Sequence, residues 1–107
     1  MKIICIGRNY VAHARELNNE VPDKPVFFMK PDSALVTANR PFFYPEFSRD
    51  VHYELEVVIR INRLGRSIEE QYSHRYYNAV ALGVGFTARD LVAEQEMKGL
   101  PWTIGKR

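Results

Sequence analysis

The fold is decided at residues 51–61, which read Val51-His52-Tyr53-Glu54-Leu55-Glu56-Val57-Val58-Ile59-Arg60-Ile61. This is the clearest strand in the sequence, and alternate residues of a strand share a face. Glu54 and Glu56 therefore point the same way, with Cα atoms roughly 6.5–7 Å apart. The opposite face is apolar throughout and holds Tyr53, Leu55, Val57, Ile59 and Ile61.

The two glutamates of this strand allow two interpretations. Two carboxylates side by side repel each other unless a cation lies between them, and hard cations such as Mg²⁺, Mn²⁺ or Ca²⁺ prefer carboxylate oxygens. The alternative is an amphipathic strand whose acidic face is solvated, which is a common arrangement. The spacing of Glu54 and Glu56 is compatible with both.

Shorter elements precede this strand. Residues 2–6 are apolar and predict a buried strand, and residues 10–17 predict a short helix that ends at Asn18 and Asn19. Residues 25–30 lie next to prolines and predict a second short strand. Residues 31–50 combine aromatic residues, prolines and turn formers, which is typical of irregular structure over a core.

Two capping patterns follow the main strand. Ser67 with Glu70 predicts a capped helix over about residues 68–77, and Thr87 with Asp90 predicts a second one that ends near residue 99. Between them, residues 79–86 form an apolar run of strand length, predicted to be buried on both faces. Four predicted strands and three short predicted helices indicate a β-rich α+β fold in a single domain over residues 1–107.

Composition narrows the class of protein. A hydrophobic fraction of 46% is typical of a globular protein. Fifteen basic and thirteen acidic residues leave a net charge of +2, and the basic residues are scattered along the chain. This balance argues against nucleic acid or a membrane surface as a partner. The one cysteine, Cys5, lies in an apolar stretch, which favours a packed thiol in a reducing compartment, so a cytoplasmic location is expected.

A second candidate site lies on the first helix. His13 and Glu16 are three residues apart, so they share a helix face, where a carboxylate can orient an imidazole for proton transfer. An ordinary surface pair is the alternative. Near the C-terminus, Lys106 becomes a candidate for electrostatic catalysis only if a pocket surrounds it. Gly83 and Gly85 share one face of the apolar strand, which indicates either close packing or the approach of a ligand.

Five blocks occur in a fixed order along the chain. They are Gly7-Arg8-Asn9-Tyr10 with His13 and Glu16, Pro25-Val26-Phe27-Phe28-Met29-Lys30-Pro31, His52-Tyr53-Glu54-Leu55-Glu56, Thr87-Ala88-Arg89-Asp90, and Lys98-Gly99-Leu100-Pro101-Trp102-Thr103-Ile104 with Lys106. Together they resemble the fumarylacetoacetate hydrolase family, and most closely its small acylpyruvate hydrolases and oxaloacetate decarboxylases or tautomerases. The resemblance covers essentially the whole chain.

The resemblance carries expectations about fold and site. It implies a mixed β-sandwich roll with short helices, usually assembled as a homodimer. It implies a divalent cation, Mg²⁺ or Mn²⁺, held by glutamates that match Glu54 and Glu56 and by one aspartate. His13 and Glu16 match a pair that would activate a water, and Lys106 matches a lysine that would help hold a carboxylate or enolate oxygen of the substrate.

Three features depart from the family pattern. The third metal ligand is expected five residues before Asp90, and Gly85 stands there. Asp90 itself matches an aspartate that is mainly structural. A glutamine that contacts substrate is expected two residues after it, where this chain has Val92. Family members also continue well past the lysine, so the sequence is expected to be a truncated, N-terminal portion of a catalytic domain with weak metal binding.

Two classes of function follow from these features. The first is a divalent-metal-dependent hydrolase, decarboxylase or tautomerase of small 2-keto or 1,3-diketo acids, acting through a metal-bound enolate and impaired in this chain. The second is a non-catalytic fragment of the family that serves only as a fold or interaction module. The expected partners are a keto-acid substrate and further copies of the chain, since half of a sandwich leaves apolar surface open.

Overall fold

The computed structural model describes residues 1–106, which divide into two compact units. The first unit comprises residues 1–52 together with the segment that begins at Thr87, and the second comprises residues 53–86. Strands outweigh short helices, so the protein is a mixed α+β fold, and the predicted fold class is confirmed.

A two-stranded antiparallel ribbon organises the first unit. Strand β1 spans Ile3–Gly7 and strand β2 spans Val26–Lys30, with Ile3 opposite Lys30 and Gly7 opposite Val26. Both strands alternate between half-buried and exposed residues. The exposed face is apolar and consists of Ile4, Ile6, Phe27 and Met29, each at least half exposed.

Two α-helices complete the first unit. Helix α1 spans Val11–Glu16, and helix α2 spans Arg89–Met97. A short 3-10 turn at Asp32–Ala34 follows the ribbon, and the rest of residues 31–50 is irregular, as the sequence predicts. The buried residues of the unit are few, namely Ala14, Ser48, Thr87, Ala88, Val92 and Gly105.

The second unit is built on a pair of long strands. Strand β3 spans Val51–Ile61, with the bounds that the sequence predicts, and it pairs with strand β4, Tyr77–Ala88. A Cβ added to Gly83 would lie 2.9 Å from Val58, and one added to Gly85 would meet Glu56, so the strands run in opposite directions. Both glycines therefore allow close approach of side chains from β3.

The prediction that residues 79–86 are buried on both faces is wrong. Val80, Leu82 and Val84 are 62%, 70% and 55% exposed. The described residues 53–86 contain two strands in one layer, so the unit has nothing of its own to cover this face. The exposed surface, which we call the apolar sheet face, consists of Tyr53, Leu55, Val57, Ile59, Ile61, Val80, Leu82 and Val84.

Neither predicted capping box forms. Ser67 has a left-handed backbone with φ of 52°, and the segment after it is a 3-10 helix at Glu70–Arg75 without a side-chain cap. Helix α2 begins after Ala88, again without a side-chain cap. Thr87 and Asp90 have other hydrogen-bond partners, described below. Helix α2 does end as predicted, with Gly99 in the left-handed region at a φ of 64°.

Candidate functional site

The acidic pair of β3 lies on the less exposed face of its strand. Glu54 and Glu56 are half-buried, whereas the alternating residues Tyr53 and Leu55 are 77% and 65% exposed. The pair therefore shares one face, as predicted, but that face is not the solvated side of an amphipathic strand.

Position 85 faces the carboxylate of Glu56. A Cβ built on Gly85 would clash with Glu56 Oε1, and its next neighbours are the Cδ and Cγ atoms of the same side chain, at 3.1 and 3.8 Å. A side chain at this position would therefore point at the Glu56 carboxylate. Glycine supplies no ligand atom there beyond its backbone.

The donor set that is present suits a divalent ion only in part. Two carboxylates with water can hold Mg²⁺ or Mn²⁺, since such ions keep several waters in many protein sites. Among residues 1–106, no group of three or more His, Cys, Asp or Glu side chains is arranged to hold a metal. Glu54 and Glu56 therefore fit a loosely held ion, and the three-carboxylate set implied by the resemblance is not formed.

Helix α1 brings His13 and Glu16 together in the first unit. His13 Nδ1 lies 3.5 Å from Glu16 Oε2, as their three-residue spacing predicts. The side chains are 44% and 75% exposed. An exposed pair at this distance is weakly coupled, and the contact is made by the Nδ1 side of the imidazole.

Lys106 is held by two groups of the first unit. Its ammonium donates a hydrogen bond of 2.9 Å to Thr87 Oγ1 and lies 5.6 Å from the centre of the Phe28 ring. Trp102 packs edge-on against that ring, with the ring centres 5.9 Å apart. The lysine is half-buried, so it is not an ordinary surface lysine at the end of a chain.

Val92 lies in the core of the first unit. It is 3% exposed, and a Cβ on Gly105 would stand 2.5 Å from Val92 Cγ2. The side chain at position 92 therefore packs against the C-terminal turn. The hydrophobic residue fits this place, where the family pattern has a glutamine.

Asp90 serves the loop that precedes β3. Its carboxylate accepts a hydrogen bond of 2.7 Å from the Ser48 hydroxyl and one of 3.0 Å from the Arg49 backbone N–H. These bonds, led by that from Ser48, hold the pKa of Asp90 below its usual value. The predicted structural role of Asp90 fits this arrangement. The sequence does not reveal the partners of Thr87 and Asp90, because both residues also fit a local capping box.

The candidate residues fall in both units. His13, Glu16 and Lys106 belong to the first unit, and Glu54, Glu56 and Gly85 belong to the second. His52 hydrogen-bonds to Asp50 at 2.9 Å, in keeping with a structural role. No helix within residues 1–106 is long and apolar enough to cross a membrane.

The whole sequence matches one protein family. The family model described as fumarylacetoacetate (FAA) hydrolase C-terminal matches residues 2–107. The mitochondrial oxaloacetate tautomerase FAHD1 of Bos taurus is 38% identical over 104 residues, which are 97% of this chain and 47% of that protein. The mitochondrial oxaloacetate decarboxylase of Dictyostelium discoideum is 41% identical over 106 residues, or 98% of this chain and 49% of that protein.

Solved structures show the same similarity. Fumarylpyruvate hydrolase of Pseudomonas aeruginosa, in complex with Mn²⁺ and pyruvate, superposes with a TM-score of 0.91 at 35% identity. That match covers 99% of this chain and 48% of the other. The chain thus spans about half the length of the relatives it matches.

Proposed function

The chain belongs to the fumarylacetoacetate hydrolase family, and on that basis we propose that it carries part of a divalent-metal site for a small 2-keto or 1,3-diketo acid. The proposed reaction is hydrolysis, decarboxylation or tautomerisation of an acylpyruvate or oxaloacetate type of substrate. These reactions have in common that negative charge develops next to a carbonyl group. A bound Mg²⁺ or Mn²⁺ would stabilise that charge.

One observation carries this proposal. Glu54 and Glu56 are half-buried on one face of β3, while the neighbouring residues of the other face, Tyr53, Leu55 and Val57, are exposed. A strand that only needed solubility would have the opposite arrangement, with its charges in water. Carboxylate oxygens are the ligands that Mg²⁺ and Mn²⁺ prefer, so two glutamates on one face of a strand favour a site for such an ion. The Mn²⁺ and pyruvate bound by the Pseudomonas aeruginosa relative support the same type of site.

We also propose roles for three residues of the first unit. His13, oriented by Glu16, takes up or delivers a proton or activates a water. Lys106 donates hydrogen bonds to a carboxylate or enolate oxygen of the substrate, since its ammonium has three donors. Both roles need the side chains at fixed positions, which the contacts to Glu16 and Thr87 favour.

The proposed activity is low in this chain. Gly85 offers no carboxylate where it faces Glu56, so the ion is held by fewer charges and bound weakly. Val92 packs inward and offers no polar atom to a substrate. The proposal also includes a cytoplasmic location, which a single cysteine suits, and assembly into homo-oligomers that cover the exposed apolar strands.

A metal titration tests the proposal directly. Mn²⁺ is added to the chain while binding is followed by calorimetry, and tautomerisation and decarboxylation of oxaloacetate are followed with and without the ion. We expect binding that disappears in the double variant Glu54→Gln/Glu56→Gln. The matched control is Glu69→Gln/Glu70→Gln, which removes two exposed carboxylates after the turn. Equal Mn²⁺ binding in the two double variants would refute the proposed site.

A non-catalytic role is the second candidate. The packing of Val92 against Gly105 favours a non-catalytic role. The family pattern has a glutamine at this position that is expected to contact substrate, whereas Val92 only fills the core. In that case Mn²⁺ would not change oxaloacetate turnover at any concentration. Turnover that depends on Mn²⁺ and on Glu54 would exclude the non-catalytic role.

A further inference from the structure

We propose that Thr87 is the positioning residue for Lys106, and that its hydroxyl holds the ammonium in place for a substrate oxygen. The Lys106 Nζ donates to Thr87 Oγ1 at 2.9 Å. The inference rests on the proposed function for the role of Lys106 toward a keto acid. The geometric part, that Thr87 holds the lysine, stands on the contacts of the first unit alone.

The hydroxyl of Thr87 accepts a hydrogen bond from Lys106 and does not cap helix α2. Its place before helix α2 would suit a cap, but the helix begins after Ala88 with no side-chain cap. Thr87 is 2% exposed, and a buried hydroxyl needs a hydrogen-bond partner inside the protein. Lys106 is that partner, although it lies 19 residues further along the chain.

The backbone brings the two residues into register. The Ala88 N–H donates a hydrogen bond of 2.8 Å to the Gly105 carbonyl, and these residues are the immediate neighbours of Thr87 and Lys106. The C-terminal turn is closed by a bond of 3.0 Å from the Lys106 N–H to the Trp102 carbonyl. The end of β4 and the C-terminal turn are therefore joined next to the side-chain contact, which limits where Nζ can go.

A second group fixes the direction of the ammonium. Phe28 presents its ring 5.6 Å from Lys106 Nζ, at a distance typical of a cation–π contact. The ring is itself placed by the ribbon, where Phe28 pairs with Cys5, and by the edge of Trp102. Thr87 and Phe28 thus hold the ammonium from two sides, and the hydrogen bond to Thr87 Oγ1 uses one of its three donors.

Competitive lysine labelling tests the tether in the full chain. Each lysine is acetylated at low reagent concentration, and its rate is read by mass spectrometry. The nitrogen attacks as the neutral amine, so an ammonium that donates to Thr87 must leave this contact and lose a proton to solvent before it reacts. Lys106 should therefore react more slowly than Lys30, which is also half-buried. Lys24, which is exposed, provides the reference for a solvated lysine. Equal rates for Lys106 and Lys30 would overturn the proposal.

Two variants separate positioning from folding. Thr87→Val keeps the shape of the side chain and removes the acceptor, so the Lys106 rate should rise severalfold while the Lys30 rate is unchanged. Thr87→Ser restores the hydroxyl and should restore slow labelling. If Thr87→Val unfolds the chain, the labelling rate of Lys30 will also rise. The labelling of Lys106 in Thr87→Ser then decides whether the hydroxyl holds the lysine. Fast labelling of Lys106 in a folded Thr87→Ser chain, or an unchanged rate in Thr87→Val, would refute the tether.

Protection by pyruvate distinguishes the positioning role of Thr87 from the keto-acid role of Lys106. With Mn²⁺ present, pyruvate should further slow labelling of Lys106 and leave Lys24 unchanged, and this protection should weaken in Thr87→Val. If pyruvate gives no protection while Thr87→Val still releases Lys106, the keto-acid role of the lysine is wrong and the positioning role of Thr87 stands. If pyruvate protects Lys106 equally in both chains, Thr87 is not the positioning residue.

Discussion

The Ser48 hydroxyl donates a 2.7 Å hydrogen bond to the carboxylate of Asp90, although the residues are 42 positions apart. Ser48 is 3% exposed and Asp90 is exposed at the start of helix α2. The bond therefore connects a buried loop residue to a helix terminus. It replaces the local cap that the sequence predicts for this helix.

This bond makes stability depend on acid pH. The pKa of Asp90 is lowered from its usual 3.8, first by Ser48 and then by the Arg49 N–H. Because the folded chain favours the ionised form, the stabilisation is complete above the unfolded pKa and is lost as the pH falls through the lower, folded value. Urea unfolding between pH 2 and 6 should show this loss in the parent chain (about the range in which carboxylates titrate).

Asp90→Asn should flatten this part of the pH profile. The amide cannot lose a proton, so the free energy of unfolding should be lower at neutral pH and change less between pH 6 and 2 (about the same range). Asp23→Asn is the control. Asp23 is exposed before β2, so this substitution removes one carboxylate and leaves the bond between Ser48 and Asp90 in place. Identical profiles for Asp90→Asn and the parent would show that the Ser48 contact does not stabilise the fold.

The apolar sheet face should cause the isolated chain to associate. Tyr53, Leu55 and Leu82 are each at least 65% exposed on it, and contiguous apolar surfaces of this kind drive association. We expect light scattering to report particles larger than a monomer. Leu82→Lys should shift the distribution toward monomer, with an effect on folding within about 0.5 kcal/mol because the site is exposed.

Leu64→Lys is the matched control for this face. Leu64 is 99% exposed but lies in the turn after β3, outside the sheet face. Its substitution should leave the particle size unchanged. A parent chain that is a monodisperse monomer, or an equal response to the two lysine variants, would contradict a role for the sheet face.

The periodic features of the sequence predicted the fold well. Alternation in residues 51–61 located β3 to the residue and placed Glu54 and Glu56 on one face, because a strand has a fixed period of two. Helical spacing likewise brought His13 to Glu16. These predictions needed only local geometry, which the identity of the neighbouring residues determines.

The features that failed depend on distant partners. Thr87 and Asp90 match a capping box locally, but Lys106 and Ser48 take their side chains. The prediction that β4 is buried on both faces was wrong for a related reason. An apolar run shows that a strand could pack against a second layer, but it does not show that the layer is present. The sequence is compatible with either a metal site or a solvated surface at Glu54 and Glu56. Their half-buried positions in the structure favour the metal site.

Val92 should resist conversion to the glutamine of the family pattern. The side chain is 3% exposed against Gly105, so a glutamine there must bury an amide without an evident partner or displace the C-terminal turn. Such burial costs about 1–3 kcal/mol. Thermal or urea unfolding of Val92→Gln should show a loss of this size. Ala93→Gln, at the exposed neighbouring position, should be within about 0.5 kcal/mol of the parent.

The last prediction is that Gly85→Asp strengthens metal binding. Position 85 faces Glu56, so an aspartate there would add a third carboxylate to Glu54 and Glu56. Its Cβ would meet Glu56 Oε1, which is the far end of a flexible side chain and can move. Without metal, three carboxylates repel and the variant should be less stable than the parent. With Mn²⁺, that repulsion becomes attraction to the ion.

The gain in affinity should be large enough to measure. A charged ligand contributes about 1.5–3 kcal/mol, or roughly ten- to a hundredfold in the dissociation constant for Mn²⁺. Gly85→Ala is the matched control, because it adds the Cβ and its contact with Glu56 but no carboxylate, and it should bind Mn²⁺ no better than the parent. Calorimetric titration of the three chains decides the matter. Equal affinities for Gly85→Asp and Gly85→Ala would mean that the carboxylate at position 85 does not reach the ion, and that Glu54 and Glu56 hold it from another side.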